Sequence, residues 1–198
     1  IDVDVAPGNP LAQVTGQTRD RLDASPLAPM LDIDGTLAPI AATPALAHVP
    51  SATRLVLERL AALPNIVVAL VSGRMAADAQ RLAGVPGAWV IGNHGYELMS
   101  PQGEVNVQDA AATYEDAMGE AARRLTGLEL IEGALLENKR WTLSVHYRNV
   151  GRGVHELENR VRSVAADLGL RVTDGKKVVE LRPPIDVDKG TAALEFAI

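Results

Sequence analysis

A chain of 198 residues with no cysteine is long enough to bury a sizeable core, but it cannot build a disulfide framework, a thiolate metal site or a catalytic thiol. Its 19 Lys and Arg against 25 Asp and Glu give a formal net charge of -6, which argues against a nucleic-acid binder, since that would need a basic face; a small anionic substrate stays open if a metal ion supplies local positive charge. No apolar run approaches a membrane span, and Ile1 to Asp4 lack the basic start of a secretory signal, so the expectation is a soluble, cytoplasmic protein with neither nucleic-acid nor membrane partners.

Residues 1–25 mix Gly, Pro, Asn and charges, with a weak helical pattern near Leu11 to Leu22, and read as a loosely attached arm. From Pro26 the texture changes. Leu27 to Ile33 reads as a buried strand, Gly35 to Pro50 as turns, and Ser51 to Leu63 as a helix with Leu55, Leu60 and Leu63 near one face. Two more apolar strands, Ile66 to Val71 and Ala88 to Ile91, flank a helix over Met75 to Leu82. Short apolar strands alternating with helices imply parallel pairing and a doubly wound α/β sheet. Tyr96 to Val107 reads as a hairpin leaving that core.

Beyond Asp109 the pattern shifts. A helix over Ala110 to Leu125 precedes strands at Leu128 to Glu137 and Arg140 to Tyr147; a helix over Val154 to Leu168 precedes two strands within Leu170 to Arg182. That order predicts a separate antiparallel α+β layer, ended by Pro183 and Pro184, before a helix from Lys189. The expected organisation is a core over 26–104 and 184–198, with an α+β cap domain inserted at 105–183. The missing initiator Met and the helix running to Ile198 look like fragment ends.

The segment Met30-Leu-Asp-Ile-Asp-Gly-Thr36 places two carboxylates where an apolar strand breaks into a Gly loop, the edge at which open α/β sheets bind ligands. Side chains at i and i+2 leave a strand on one side, so Asp32 and Asp34 can converge. Gly35 allows a sharp turn, and Thr36 can offer donors to an anion. Such a pair beside a phosphate makes sense with a divalent cation bridging them. One Asp can then attack phosphorus while the other handles the proton of the leaving oxygen. Asp2-Val-Asp4 and Asp186-Val-Asp188 share the spacing without the Gly-Thr turn and receive no nucleophilic role. Ser72, followed by Gly73 and Arg74, sits where a hydroxyl and free helix amides can hold a phosphate oxygen, or simply cap the helix. Lys189, at another helix start, can neutralise a phosphate and an attacking carboxylate.

In this order, Asp32-Ile-Asp-Gly-Thr, Ser72-Gly-Arg and Lys189 resemble the first three motifs of the haloacid dehalogenase superfamily of phosphohydrolases. Leu31 to Ile40, Gly92-Asn-His-Gly95, Glu137-Asn-Lys-Arg140, Ser144-Val-His-Tyr-Arg148 and Lys176 to Pro183 further resemble trehalose-6-phosphate phosphatases, from about Pro29 to the C-terminus. The resemblance implies a Rossmann-like core, a mobile cap, required Mg2+ held by Asp32 and Asp34, and hydrolysis of trehalose 6-phosphate through an aspartyl-phosphate. It implies Asp32 as nucleophile, Asp34 as acid and base, and Ser72 and Lys189 as phosphate ligands, with Thr36, Gly73 and Arg74 binding substrate beside them. Glu137, Lys139, Arg148, Lys176 and Glu180 would bind the sugar, and Asn93 and His94 would bind substrate from the junction of core and cap. The superfamily's fourth motif, an acidic loop completing the magnesium site, is expected beyond Ile198.

Glu137 and Lys139 alternate along one predicted strand and His146 and Arg148 along another, giving shared polar faces that suit a disaccharide's hydroxyls or, equally, a solvated sheet face with cross-strand ion pairs. His48 and His155 read as surface residues, Trp89 and Trp141 as core, with a sugar platform left open for Trp141. Rival functions are a phosphatase for sucrose or mannosyl phosphates, a catalytically weak regulatory domain of the same fold, and a phospho-accepting receiver domain.

Overall fold

The computed structural model describes residues 26–41 and 43–197, so the arm expected at 1–25 and its helical pattern lie outside the described residues. Strand β1 (Met30–Asp32) pairs in parallel with β2 (Ala69–Val71), and β2 with β3 (Trp89–Gly92). Helices α1 (Ser51–Ala61) and α2 (Ala76–Ala83) make the two crossovers. Alternate strand residues face opposite ways. Leu70 and Val90 pack with Leu57 of α1 and Ala76, Ala79 and Ala83 of α2, whereas Val71 and Ile91 pack with Ala192 of the last helix (Lys189–Phe196). Helices therefore cover both faces, as a doubly wound α/β sheet requires.

Two expectations for this region need correcting. In α1 the buried residue is Leu57, 5% exposed, while Leu55 and Leu63 are 48% and 51% exposed. The sheet touches α1 along a narrow stripe through Leu57 and Leu60, and Leu63 lies beyond the helix end. The hairpin expected to leave the core extends it instead. Strands β4 (Glu97–Met99) and β5 (Val105–Val107) continue the sheet antiparallel in the order β1-β2-β3-β4-β5, because pairing Ile91 with Leu98 and Val90 with Met99 keeps these apolar side chains on packed faces. Residues 105–107, expected at the start of the cap, thus belong to the first sheet.

The following helix is two: α3 (Asp109–Ala112) and α4 (Glu115–Leu125). At the break, Thr113 donates its hydroxyl to the Ala110 carbonyl at 2.8 Å while the Tyr114 amide bonds Ala111, an i to i−3 contact. Leu128–Leu130, expected within a strand, is a 3-10 turn, and β6 is confined to Leu135–Asn138. With β7 (Leu143–His146), β8 (Arg171–Gly175) and β9 (Val178–Arg182) it forms a second, antiparallel sheet in the order β6-β7-β9-β8. Helices α4 and α5 (Val154–Asp167) cover one face through Met118, Leu125, Val161 and Val164 against Leu143, Val145, Val179 and Leu181. The alternate residues Ser144, His146, Glu180 and Arg182 form the other, polar face. The last helix, α6 (Lys189–Phe196), returns to the first sheet. None of the described helices is long and apolar enough to cross a membrane.

The end of β3 meets the start of α2 with no room between them. A Cβ at Gly92 would stand 2.5 Å from the Ala76 amide nitrogen and 2.6 Å from its Cα. Gly92→Ala is expected to destabilise the protein by roughly 1–3 kcal/mol, the usual cost of overpacking against backbone. A lowered urea midpoint at unchanged slope would show it; an unchanged midpoint would mean the contact relaxes freely.

Candidate active site

At the end of β1 the chain turns at once: the amides of Leu37 and Ala38 both donate to the Ile33 carbonyl, at 3.0 and 2.8 Å, so Asp32 and Asp34 project beside a tight loop. Each carboxylate is met by a cation from far along the chain. Lys189 Nζ lies 2.5 Å from Asp32 Oδ1, and Arg74 holds Asp34 with two bonds of 2.9 and 2.8 Å from Nε and Nη2. Arg74 also donates to the Pro44 carbonyl at 3.0 Å, which anchors the loop after β1. Lys189 reaches Asp32 because α6 is capped and pressed inward. Asp188 accepts the Thr191 amide at 2.8 Å, while Gly95 lets the helix start come close: a Cβ there would fall 2.7 Å from the Asp188 carbonyl oxygen. Ser72, at the end of β2, is buried; its amide donates to Ile91 at 2.8 Å and its hydroxyl accepts the Arg74 amide at 3.1 Å.

Facing this corner is the polar face of the second sheet. Lys139 Nζ contacts Ser144 Oγ at 3.0 Å, Glu180 at 3.3 Å and Glu137 at 3.7 Å. His146 Nε2 lies 3.0 Å from Glu137, and Arg182 holds the second oxygen of Glu180 at 2.6 Å. His94, from the first sheet, reaches across to 3.3 Å from Glu180 and accepts a bond from Arg182 at Nδ1, 3.0 Å long. Because arginine can only donate, His94 carries its hydrogen on Nε2, toward Glu180.

Between the two walls lies a cleft of about 490 Å3, a size typical of small-molecule sites. Of the residues singled out in the sequence, Asp34, Gly73, Arg74, His94, Glu137, Lys139, Arg148, Lys176, Glu180 and Lys189 line it. Asp32 is not among the lining residues but bonds Lys189, which is. Thr36 is exposed outside the cleft, and Ser72 and Asn93 are buried beneath it. His146, expected on a polar strand face, lines it too, as do Arg182 and Ser144, which were not assigned. Their positions alternate along β9 and β7 with apolar ones, a readable signal once Glu180 is placed. A third wall is apolar: Ile40, Ala41, Pro44 and Ala47, from a stretch between Asp34 and His48 without a charge.

Asp186 pairs with Arg171 on the surface and Asp188 caps α6, so neither joins the cleft; Asp2 and Asp4 lie outside the described residues. His48 and His155 are exposed, and Trp141 is buried against Tyr96 and Ala111. No group of three or more His, Cys, Asp or Glu among the described residues comes together to hold a metal. Asp32 and Asp34, 38% and 43% exposed, do supply hard carboxylate oxygens with room for water, a donor set that suits magnesium.

Burial alone would raise the Glu180 carboxyl, but the bond from His94 and the charges of Lys139 and Arg182 hold it well below the usual range. Glu137 is likewise lowered against its burial by His146 and Lys139. Burial pushes the His94 imidazole down, although Glu180 pulls the other way.

The fold defines a class of architecture, a core with parallel strands beside an antiparallel α+β layer, which it shares with a solved phosphatase of the haloalkanoate superfamily at a TM-score of 0.51 and 19% identity over 86% of this chain and 71% of that one. The trehalose-phosphatase family model matches residues 30–197, and the chain belongs to that family. It is 42% identical over 165 residues to the trehalose-phosphate phosphatase of Mycobacterium avium, covering 82% of this chain and 42% of that protein. It is also 42% identical over 182 residues to an uncharacterized glycosyl hydrolase of Mycobacterium tuberculosis, covering 91% of this chain and 14% of that protein. The chain thus spans less than half the length of these relatives. A solved trehalose-6-phosphate phosphatase related protein shares the fold, with a TM-score of 0.76 at 22% identity over 86% of this chain and 72% of that one.

A lowered Glu180 ionises more readily folded than unfolded, so its contribution is present above the ordinary value of 4.5 and fades as pH falls below it. His94, also lowered, contributes above its ordinary 6.5 and loses this as pH falls. Glu180→Gln should reduce stability at neutral pH yet flatten its decline between about pH 5 and pH 3. Melting temperatures across that range check this; an unchanged acid slope would remove Glu180 from the explanation.

Proposed function

We propose that the chain carries the phosphatase core of an enzyme that hydrolyses trehalose 6-phosphate to trehalose and phosphate. The observation that carries the reading is the pair Asp32 and Asp34, each matched to a cation, beside a cleft whose far wall holds Glu137, Lys139 and Glu180. Family membership and the Mycobacterium avium relative support it. We divide the molecule into a core of residues 26–107 and 184–197 and a cap of 108–183, as the strand pairings suggest. The cysteine-free composition suits the cytoplasm as the place of the reaction.

An oxygen of Asp32 attacks phosphorus, the bond from phosphorus to the sugar oxygen breaks, and Asp34 donates the proton that this oxygen needs to leave as a hydroxyl. Asp34 then takes a proton from water, whose oxygen attacks phosphorus, and the bond to Asp32 breaks to release phosphate. Lys189, beside Asp32, neutralises charge on the attacking carboxylate and the phosphoryl oxygens. Arg74 has to leave Asp34 for the proton transfers and is then free to hold the phosphoryl group, with Ser72 and Gly73 shaping the loop beneath it. Mg2+ on Asp32 and Asp34 would offset the repulsion between carboxylate and phosphate. In the cap, Glu137, Lys139, Arg148, Lys176 and Glu180 offer donors and acceptors to sugar hydroxyls.

Phosphate release from a panel of sugar phosphates by the full-length protein, with and without magnesium, tests the reading. Trehalose 6-phosphate is expected to be preferred and magnesium required; a preference for sucrose or mannosyl phosphates would overturn the substrate. Asp32→Asn should abolish turnover, because an amide does not replace the attacking carboxylate. Asp34→Asn should lose about 10² to 10⁴ in rate, and less with phenyl phosphates bearing good leaving groups. An equal loss for every leaving group would remove the acid role.

Recognition of the sugar should reside in the cap. Glu137→Ala and Lys139→Ala are each expected to lower kcat/KM for trehalose 6-phosphate by an amount equivalent to about 1–3 kcal/mol while sparing a small aryl phosphate. Equal losses on both substrates would place these residues in the fold instead.

A further inference from the structure

Beneath the cleft, where the two sheets meet, lies a polar cluster that the reaction does not use. Asn93, Glu97 and Thr142 are all buried. The Glu97 carboxylate is met by amides: Oε2 accepts the Ala76 backbone amide at 2.6 Å and Oε1 accepts Asn93 Nδ2 at 3.1 Å. A desolvated carboxylate is costly unless its oxygens are bonded in this way. Asn93 then spends the rest of its amide on the cap. Its Nδ2 also donates to the Lys139 carbonyl at 2.6 Å, and its Oδ1 accepts the Thr142 hydroxyl at 2.8 Å. The Asn93 backbone amide donates to Arg74 at 2.5 Å and that of His94 to Ser72 at 3.1 Å. Both residues sit at positive φ, 50° and 60°. Backbone of that kind persists in non-glycine residues where the surroundings over-determine it.

Each partner of this cluster leads to one half of the cleft. Ala76 begins the helix that the Ser72-Gly73-Arg74 loop enters, and Arg74 belongs to that loop. Lys139 and Thr142 close the β6–β7 hairpin through a bond from the Lys139 amide to the Thr142 carbonyl at 2.9 Å, and Lys139 carries its ammonium into the sugar side of the cleft.

We propose that Asn93, its amide oriented by Glu97, is a positioning residue that couples occupancy of the sugar side of the cleft to the geometry of the phosphate-holding loop. The proposal rests on the trehalose 6-phosphate reading. A cap shifted by sugar moves the Lys139 and Thr142 end of the cluster, and the Ala76 and Arg74 end follows because Asn93 bonds both Lys139 and Thr142 on one side and Glu97 and Arg74 on the other. Sugar and phosphate should therefore each raise the other's affinity by the same factor.

The two products serve as probes. In the full-length protein with magnesium, calorimetric titration of inorganic phosphate is carried out with and without saturating trehalose. Trehalose is expected to tighten phosphate binding about tenfold, within the usual range of coupling between sites. Thr142→Val removes the hydroxyl on Asn93 at nearly constant volume, and it should bring this factor close to one while leaving phosphate affinity alone unchanged. Thr142→Ser, which keeps the hydroxyl, should restore it. Coupling that survives Thr142→Val, or a loss of phosphate affinity equal with and without trehalose, overturns the proposal. Independent binding of the two ligands to the unaltered protein overturns it while leaving the substrate reading intact. Failure of trehalose to bind at all overturns both.

Discussion

Two carboxylates at the end of one strand repel each other and any anion brought beside them, so their use depends on cations delivered from elsewhere in the chain. Lys189 reaches Asp32 from 157 positions away and Arg74 reaches Asp34 from 40. Each delivery sets a demand on the fold. Arg74 follows from the parallel pairing of β1 with β2, which puts the loop after β2 next to the loop after β1. Lys189 needs α6 to return to the same sheet after the whole second layer, to be capped by Asp188, and to pack through Ala192 on Val71 and Ile91. The packing of the last helix and the electrostatics of the aspartate pair are therefore one constraint.

The second sheet answers a different demand. It turns an apolar face to α4 and α5 and a charged one to the cleft, so several charges end up largely out of water. Glu180 is tolerable there because Lys139, Arg182, Ser144 and His94 all contact it. Such a network contributes little net stability, since desolvation offsets much of the attraction. Its effect is to hold several donors and acceptors in fixed directions, which on the proposed reading is what selection among sugars with similar hydroxyl patterns requires. The apolar side chains of Ile40, Ala41, Pro44 and Ala47 offer no directed bonds and, on the proposed reading, suit the carbon-bound hydrogens of a sugar ring.

Much of this was legible before any coordinates. The apolar runs that end in Asp32, Val71 and Ile91 are short and unbroken because these strands are covered on both faces, and such runs read as parallel strands. Asp32-Ile-Asp-Gly-Thr36 and Ser72-Gly-Arg74 are local devices whose chemistry resides in a few adjacent residues, so their proximity could be expected from strand order. The second layer was legible as helix and strand alternation. Misplaced features share a cause: Leu55 and Leu63 fit a helical stripe as well as Leu57 does, and the hairpin of β4 and β5 carries no residue that announces which sheet it joins. The strand order β6-β7-β9-β8, with β9 inside, is likewise invisible to periodicity.

The sequence by itself determined the local chemistry: which strand ends carry carboxylates, where glycine permits a turn, and which stretches alternate. Tertiary structure alone decided that Arg74 meets Asp34, that Arg182 and Ser144 share the cleft with Glu180, and that the Asn93 side chain is spent on Glu97, Lys139 and Thr142. The physical reason is that periodicity records which face of an element is buried but not against what. Hydrogen bonds and ion pairs between residues dozens of positions apart exist only once packing has set the distance.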